Sequence, residues 1–78
     1  MSQTLDLCPT GLAERSTVVF RRFDALAPGD QLDVLLDTPP WVIYHQLHTE
    51  RFGEFDWQLL EPGPEQFVFR LTKRMPDG

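Results

Sequence analysis

The single cysteine of the chain, Cys8, stands where a thiol is well placed to do chemistry. A short polar–apolar alternation before it predicts a strand over residues 4–7, and Pro9 and Gly11 then break that strand ahead of a helix. A thiol between a strand end and a helix N-terminus faces unpaired backbone amides, which favour a thiolate or an anion. Cys8 is therefore a candidate reactive thiol, and the alternative is a small apolar side chain at the edge of the core.

A second set of candidate residues precedes the second predicted helix. Asp37-Thr38-Pro39-Pro40 follows an apolar strand, which predicts a helix entrance where Thr38 caps exposed amides. Trp41 comes next, where it either covers a pocket or packs against the rim of the sheet. Parallel first and second strands would bring both helix starts to one edge of the sheet. We expect a ligand- or partner-binding site at that edge, composed of Cys8, Thr10, Gly11, Asp37, Thr38 and Trp41.

Other residues that can do chemistry are few. His45 and His48 are three positions apart on a predicted helix, so both could reach one metal ion, but closed zinc sites need about four protein ligands. Two partly exposed histidines on a polar helix flank are the simpler interpretation. The chain has no evident acid–base pair, no Ser-His-Asp order and no nucleotide-binding glycine loop. We therefore expect no metal and no cofactor, and binding rather than catalysis.

The spacing of apolar residues predicts the elements that position these groups. One face of the first predicted helix carries Leu12, Ser16, Val19, Phe23 and Leu26. Arg15 falls on another face, and Ala27-Pro28-Gly29 ends the helix. A second helix runs to about Arg51, and alternation predicts strands over residues 31–37, 55–59 and 67–71. Pro62-Gly63 is typical of a turn that joins the last two strands as an antiparallel hairpin.

The order β-α-β-α-β-β predicts an α+β fold. We expect a two-layer α/β sandwich, with a four-stranded mixed sheet and two helices on one face. Residues 1–78 then form a single domain with an ordered core over about residues 4–74. On the open face, Leu35, Leu60 and Val68 interrupt the polar pattern. They form either a docking patch or ordinary scattered surface residues.

Charge and composition narrow the class of partner. A formal net charge of −5 disfavours nucleic acid and anionic membranes, which both select basic surfaces. The first four residues lack the features of a signal peptide, no apolar run reaches bilayer length, and one cysteine cannot form an internal disulfide. We expect a cytoplasmic protein, a monomer or a weak homodimer, that engages a protein partner.

Three segments carry a family resemblance: Phe23-Asp24-Ala25-Leu26-Ala27-Pro28-Gly29-Asp30, Asp37-Thr38-Pro39-Pro40, and Trp57-Gln58-Leu59-Leu60-Glu61-Pro62-Gly63-Pro64. From Leu5 to about Lys73 the chain resembles a bacterial domain-of-unknown-function family, number 2249, within the TusA/SirA-like sulfur-carrier superfamily. The resemblance implies the two-layer sandwich and a partner in redox or sulfur metabolism.

In the sulfur carriers of that superfamily, a Cys-Pro-x-Pro motif begins the first helix, and its cysteine takes up sulfane sulfur as a persulfide. In this chain Leu12 occupies the corresponding position, and Cys8-Pro9 lies four residues earlier. We therefore expect a non-enzymatic accessory or binding domain of this fold that acts at the helix N-terminal edge. The alternative is a sulfur-relay carrier that holds a persulfide on Cys8. In that case Cys8 is the catalytic residue.

Overall fold

A computed structural model describes residues 2–75 of the chain. Four strands and two helices follow one another in the predicted order β-α-β-α-β-β. Their bounds are β1 Ser2–Asp6, α1 Leu12–Asp24, β2 Gln31–Leu36, α2 Trp41–Glu50, β3 Phe55–Pro62 and β4 Phe67–Lys73. Neither helix has the length and apolar character that a membrane-spanning helix requires.

The four strands form one mixed sheet in the order β1-β2-β4-β3. Strands β1 and β2 are parallel, with Leu5 opposite Val34, while β4 pairs antiparallel with both β2 and β3. Since β1 and β2 run in the same direction, both end at one edge of the sheet, where α1 and α2 begin. The turn between β3 and β4 lies at the same edge, because Phe67 pairs with Leu36. We call this end of the molecule, residues 6–15, 37–42 and 61–67, the helix-start edge.

Both helices cover the same face of the sheet, as the sequence predicts. The aromatic rings of Phe23 on α1 and Phe55 on β3 meet edge to face with their centroids 6.2 Å apart. The ring of Trp57 stacks on Phe69 at 4.3 Å and meets Tyr44 on α2 at 4.8 Å. Full burial of an aliphatic or aromatic side chain stabilises the fold by roughly 1.5–3 kcal/mol. The core contains Leu7, Val19, Phe23, Leu26, Leu32, Val34, Leu36, Ile43, Leu47, Phe55, Phe69 and Leu71.

The opposite face of the sheet carries polar groups and a narrow apolar strip. The guanidinium of Arg70 on β4 pairs with Asp33 on β2, with an Nε–Oδ1 distance of 2.7 Å. Leu35 lies opposite Val68, which is 9% exposed, and Leu60 stands in a β-bulge and is 36% exposed. Leu35 and Val68 are neighbours as expected, and a docking patch that also includes Leu60 stays a prediction.

Two predicted orientations on α1 are wrong. Leu12, placed by its spacing with the apolar face, is 68% exposed, whereas Arg15, expected on another face, is 6% exposed. Leu12 is the first residue of α1, one turn before Arg15, the first buried residue of this helix. The buried stripe instead steps by four residues along Arg15, Val19 and Phe23. The helix ends at Asp24, a few residues before the predicted stop.

Candidate functional site at the helix-start edge

The Arg15 side chain joins the two loops of the helix-start edge. In the loop between β1 and α1, its Nε donates to the carbonyl oxygen of Thr10 at 2.9 Å, and its Nη2 donates to that of Cys8 at 3.3 Å. In the loop between β2 and α2, its Nη1 donates to Asp37 Oδ1 at 2.7 Å and to Thr38 Oγ1 at 3.1 Å. One buried guanidinium therefore holds both loops at a fixed separation. Only arginine has a planar fork of donors that serves so many acceptors at once.

The two members of the ion pair between Arg15 and Asp37 differ in their exposure to solvent. The Arg15 side chain is 7% exposed, and the Asp37 side chain is 51% exposed. The hydrogen bond from the guanidinium lowers the pKa of the Asp37 carboxyl below its usual value, because it stabilises the charged form. At neutral pH Asp37 therefore stays ionised, and its negative charge compensates the positive charge of Arg15.

The prediction that Thr38 caps the second helix is wrong. Helix α2 begins at Trp41, and the residue at its N-cap position, Pro40, forms no side-chain capping bond. A residue before a proline is disfavoured in the helical conformation, so Thr38 and Pro39 stay outside α2. The Thr38 hydroxyl instead accepts a hydrogen bond from Arg15.

Cys8 is accessible but is not activated. Its thiol is free and exposed, so the alternative of a core-edge residue is wrong. The pKa of the Cys8 thiol is raised, first by a hydrogen bond with Asp6 and then by desolvation and by the negative charges of Asp6 and Asp37. The charge of Arg15 acts in the opposite direction and is outweighed. Because the thiolate is the reactive form, this environment lowers the fraction of Cys8 that is ready to react at neutral pH.

An apolar groove of about 400 Å³ lies between the starts of α1 and α2, beside the Arg15 cluster. Leu12 is 68% exposed and Val42 is 66% exposed, while Ile43 is 6% exposed and lies deeper in the wall. Large aliphatic side chains that stay exposed while lining one groove are typical of interaction sites. The lining of this helix-start groove is Leu12, Arg15, Ser16, Thr38, Pro39, Val42 and Ile43.

The predicted site residues are brought together in part. Four of them share the guanidinium of Arg15 as donor: Cys8, Thr10, Asp37 and Thr38. Gly11 is the N-cap residue of α1 in the same loop, whereas Trp41 is 49% exposed and does not line the groove. Sequence reasoning missed Arg15, Leu12 and Val42. The four-residue step from Arg15 to Val19 and Phe23 is the signal that could have identified the buried arginine.

The rings of both His45 and His48 contact the ring of Tyr44 on α2, and His48 also contacts Phe52 beyond the end of the helix. The ring of His48 lies 5.9 Å from that of Tyr44 and 5.0 Å from that of Phe52. This cluster borders a second, more polar concavity of about 460 Å³, whose Arg74 is paired with Asp56 at 2.8 Å. Within residues 2–75, no three His, Cys, Asp or Glu side chains are placed to hold a metal ion together. The ring contacts thus give His48 a packing role.

The fold and the site define a small α+β domain with a rigid edge and an exposed apolar groove. The chain belongs to the family described as "Uncharacterized conserved protein (DUF2249)", whose model matches residues 4–73. This span includes both loops, the Arg15 cluster and the groove, and it confirms the predicted family. Searches of curated proteins and of solved structures find no match. The description assigns the family no activity.

Proposed function

We propose that the protein is a non-enzymatic accessory module that binds a protein partner through the helix-start groove. The observation that carries this proposal is the exposure of Leu12 and Val42 on the two walls of the groove. Their apolar surface faces water in the free protein, and a partner side chain inserted between them would remove it from water. Burial of one Leu-sized side chain contributes roughly 1.5–3 kcal/mol, enough to anchor a short segment.

The Arg15 cluster prepares this groove for binding. Leu12 follows the loop that Arg15 holds through Cys8 and Thr10, and Val42 follows the loop that it holds through Asp37 and Thr38. Both walls are therefore fixed before a partner arrives. A preformed site loses less conformational entropy on binding than loops that must first become ordered.

We also propose a superfamily, a cellular location and a class of partner for this protein. We place the family within the TusA/SirA-like sulfur-carrier superfamily, because the element order and the two helices on one face agree with the architecture that the resemblance implies. We expect a bacterial, cytoplasmic protein, monomeric or weakly dimeric, whose partner works in redox or sulfur metabolism. The exposed free thiol of Cys8 suits a reducing compartment.

Site-specific photo-crosslinking in the producing cell tests the binding role. A benzophenone amino acid replaces Val42 in the groove and, as a matched control, Phe52, which is 73% exposed at the far end of α2. We expect a discrete protein adduct from position 42 that disappears with the second substitution Leu12→Ser. Three results would contradict the proposal: equal adducts from both positions, adducts that Leu12→Ser does not reduce, or no adduct from position 42.

The second candidate, sulfur relay, rests on the exposure of the Cys8 thiol. Its sulfur would attack the outer sulfur of a persulfide donor. The donor S–S bond would break, the donor would leave as a thiolate, and Cys8 would carry the persulfide. The raised pKa of Cys8 opposes this step, so we rank it second. Incubation with a sulfane-sulfur donor, followed by intact mass measurement before and after alkylation, decides the matter. A stable gain of one sulfur atom that is lost in Cys8→Ser would favour the carrier, and no gain would remove it.

A further inference from the structure

The negative charge of the protein is concentrated at the helix-start edge. Five carboxylates lie there by chain position and strand register: Asp6, Glu14, Asp37, Glu61 and Glu65. Among residues 2–75, Arg15 is the one basic side chain at this edge, and it is buried against Asp37. The outer surface of the edge therefore presents carboxylates without accessible cations.

The opposite end of the molecule is close to neutral. Among the residues that the structure describes, five basic ones lie there, Arg21, Arg22, Arg51, Lys73 and Arg74, together with the carboxylates Asp24, Asp30, Glu50, Glu54 and Asp56. Arg51 pairs with Asp24 at 2.9 Å, and Arg74 pairs with Asp56 at 2.8 Å. On the open face of the sheet, Arg70 pairs with Asp33. Within residues 2–75, the excess of negative over positive side chains is thus located at the end that carries the groove.

The size of the molecule keeps the two ends electrostatically separate. Helix α1 runs from one end to the other and its 13 residues rise about 20 Å, whereas the Debye length at physiological salt is about 8 Å. The compensated charges at the far end are therefore screened from a partner that approaches the groove. Each helix start contributes roughly half a positive charge, which reduces the negative charge of the edge without reversing it.

We infer that the partner presents to the helix-start groove an apolar side chain flanked by lysine or arginine. This inference rests on the proposed function and adds the charge of the partner to it. The apolar side chain matches Leu12 and Val42, and the basic flanks match the carboxylates of the same edge. A second copy does not fit, because a two-fold contact through this edge would set two acidic surfaces against each other.

The expected binding has two separable components. Contacts with the groove govern how long the complex lasts, while the acidic edge steers the basic segment toward the groove and raises its association rate. Steering of this kind weakens with salt, whereas apolar burial does not. The two components can therefore be removed one at a time.

A displayed library of random twelve-residue peptides tests the inference, with the full chain as bait at physiological salt. One variant, Leu12→Ser/Val42→Ser, removes the apolar walls. A charge variant, Glu61→Lys/Glu65→Lys, changes the edge and leaves the groove intact. Its matched control, Glu50→Lys/Glu54→Lys, makes the same change of net charge at the opposite end.

We expect enrichment on the wild type, loss of enrichment on Leu12→Ser/Val42→Ser, and an excess of Lys and Arg beside an apolar residue in the selected peptides. Affinity should fall about fivefold or more with Glu61→Lys/Glu65→Lys and stay within about twofold with Glu50→Lys/Glu54→Lys. Groove-dependent peptides that are neutral or acidic would overturn the inference and leave the proposed function intact. No enrichment, or enrichment indifferent to Leu12→Ser/Val42→Ser, would remove both.

Discussion

Replacement of Arg15 by methionine tests the helix-start edge as a structural unit. Methionine keeps an unbranched apolar stem in the buried position but removes every guanidinium donor. The carbonyl oxygens of Cys8 and Thr10 then lose their charged donor, as do the side chains of Asp37 and Thr38. We expect the domain to remain folded but to be clearly less stable, with the two loops no longer tied together.

The magnitude follows from the number and kind of bonds lost. A hydrogen bond from a charged group contributes about 1.5–3 kcal/mol net. Water can reach the acceptors that lose their donor, so each lost bond is given the lower value of this range. Only the two bonds to the carbonyl oxygens of Cys8 and Thr10 are counted, which gives a loss of about 3 kcal/mol. A domain of this length has a total stability of about 4–12 kcal/mol, so the loss is a large fraction of the whole. With a urea dependence of about 1–2 kcal/mol per molar, the unfolding midpoint should fall by about 1.5–3 M.

Urea unfolding followed by tryptophan fluorescence measures this change, since Trp57 stacks on Phe69 in the core. Arg21→Met, an exposed position on the same helix, is the matched control and should stay within about 0.5 kcal/mol of wild type. Arg15→Lys should fall between the two, because an ammonium group cannot serve acceptors in both loops. Equal midpoints for Arg15→Met and Arg21→Met would refute the role given to the guanidinium.

Three further outcomes are expected. Because the pKa of Asp37 is lowered in the folded protein, its contribution to stability is present at neutral pH and is lost as the pH falls through that pKa. In acid titrations, the difference in stability between wild type and Asp37→Asn should therefore close below about pH 4. The raised pKa of Cys8 should move the midpoint of its alkylation rate to higher pH than a free thiol shows, and Asp6→Asn should move it back; an unchanged midpoint would refute that electrostatic cause. Gly63→Ala should cost at least about 1 kcal/mol in thermal unfolding, because Gly63 has a φ of +88° and an added Cβ would lie 2.5 Å from the Phe67 ring; a neutral effect would contradict this backbone account.

The element order and the sheet could be predicted because local patterns determine them. Alternation over residues 31–37 places Leu32 and Val34 on one face wherever the strand pairs, and the turn at Pro62-Gly63 allows little besides a hairpin. A strand–helix–strand connection then favours a parallel pair. The common edge for the two helix starts follows from that topology, and for this reason Cys8 and Thr38 could be expected near each other.

The chemistry of the edge could not be predicted in the same way. The burial of Arg15 depends on acceptors from two loops that are distant in sequence, and charge alone places an arginine at the surface. Leu12 fits the apolar face of the helix by its spacing, and only the structure shows that it is 68% exposed. The capping role expected of Thr38 failed because α2 begins only at Trp41, and the Thr38 hydroxyl accepts a hydrogen bond from Arg15 instead.

Paramagnetic relaxation enhancement from a nitroxide on Cys8 tests the central claim most directly. Cys8 is the single cysteine of the chain and is exposed, so the wild-type protein can be labelled at one defined site. We expect strong broadening of the amide signals of Thr38 and Val42, and sharp signals for Gly53 and Lys73 at the opposite end of the molecule. Sharp signals at Thr38 and Val42 would show that the two helix starts do not share an edge and would contradict the account.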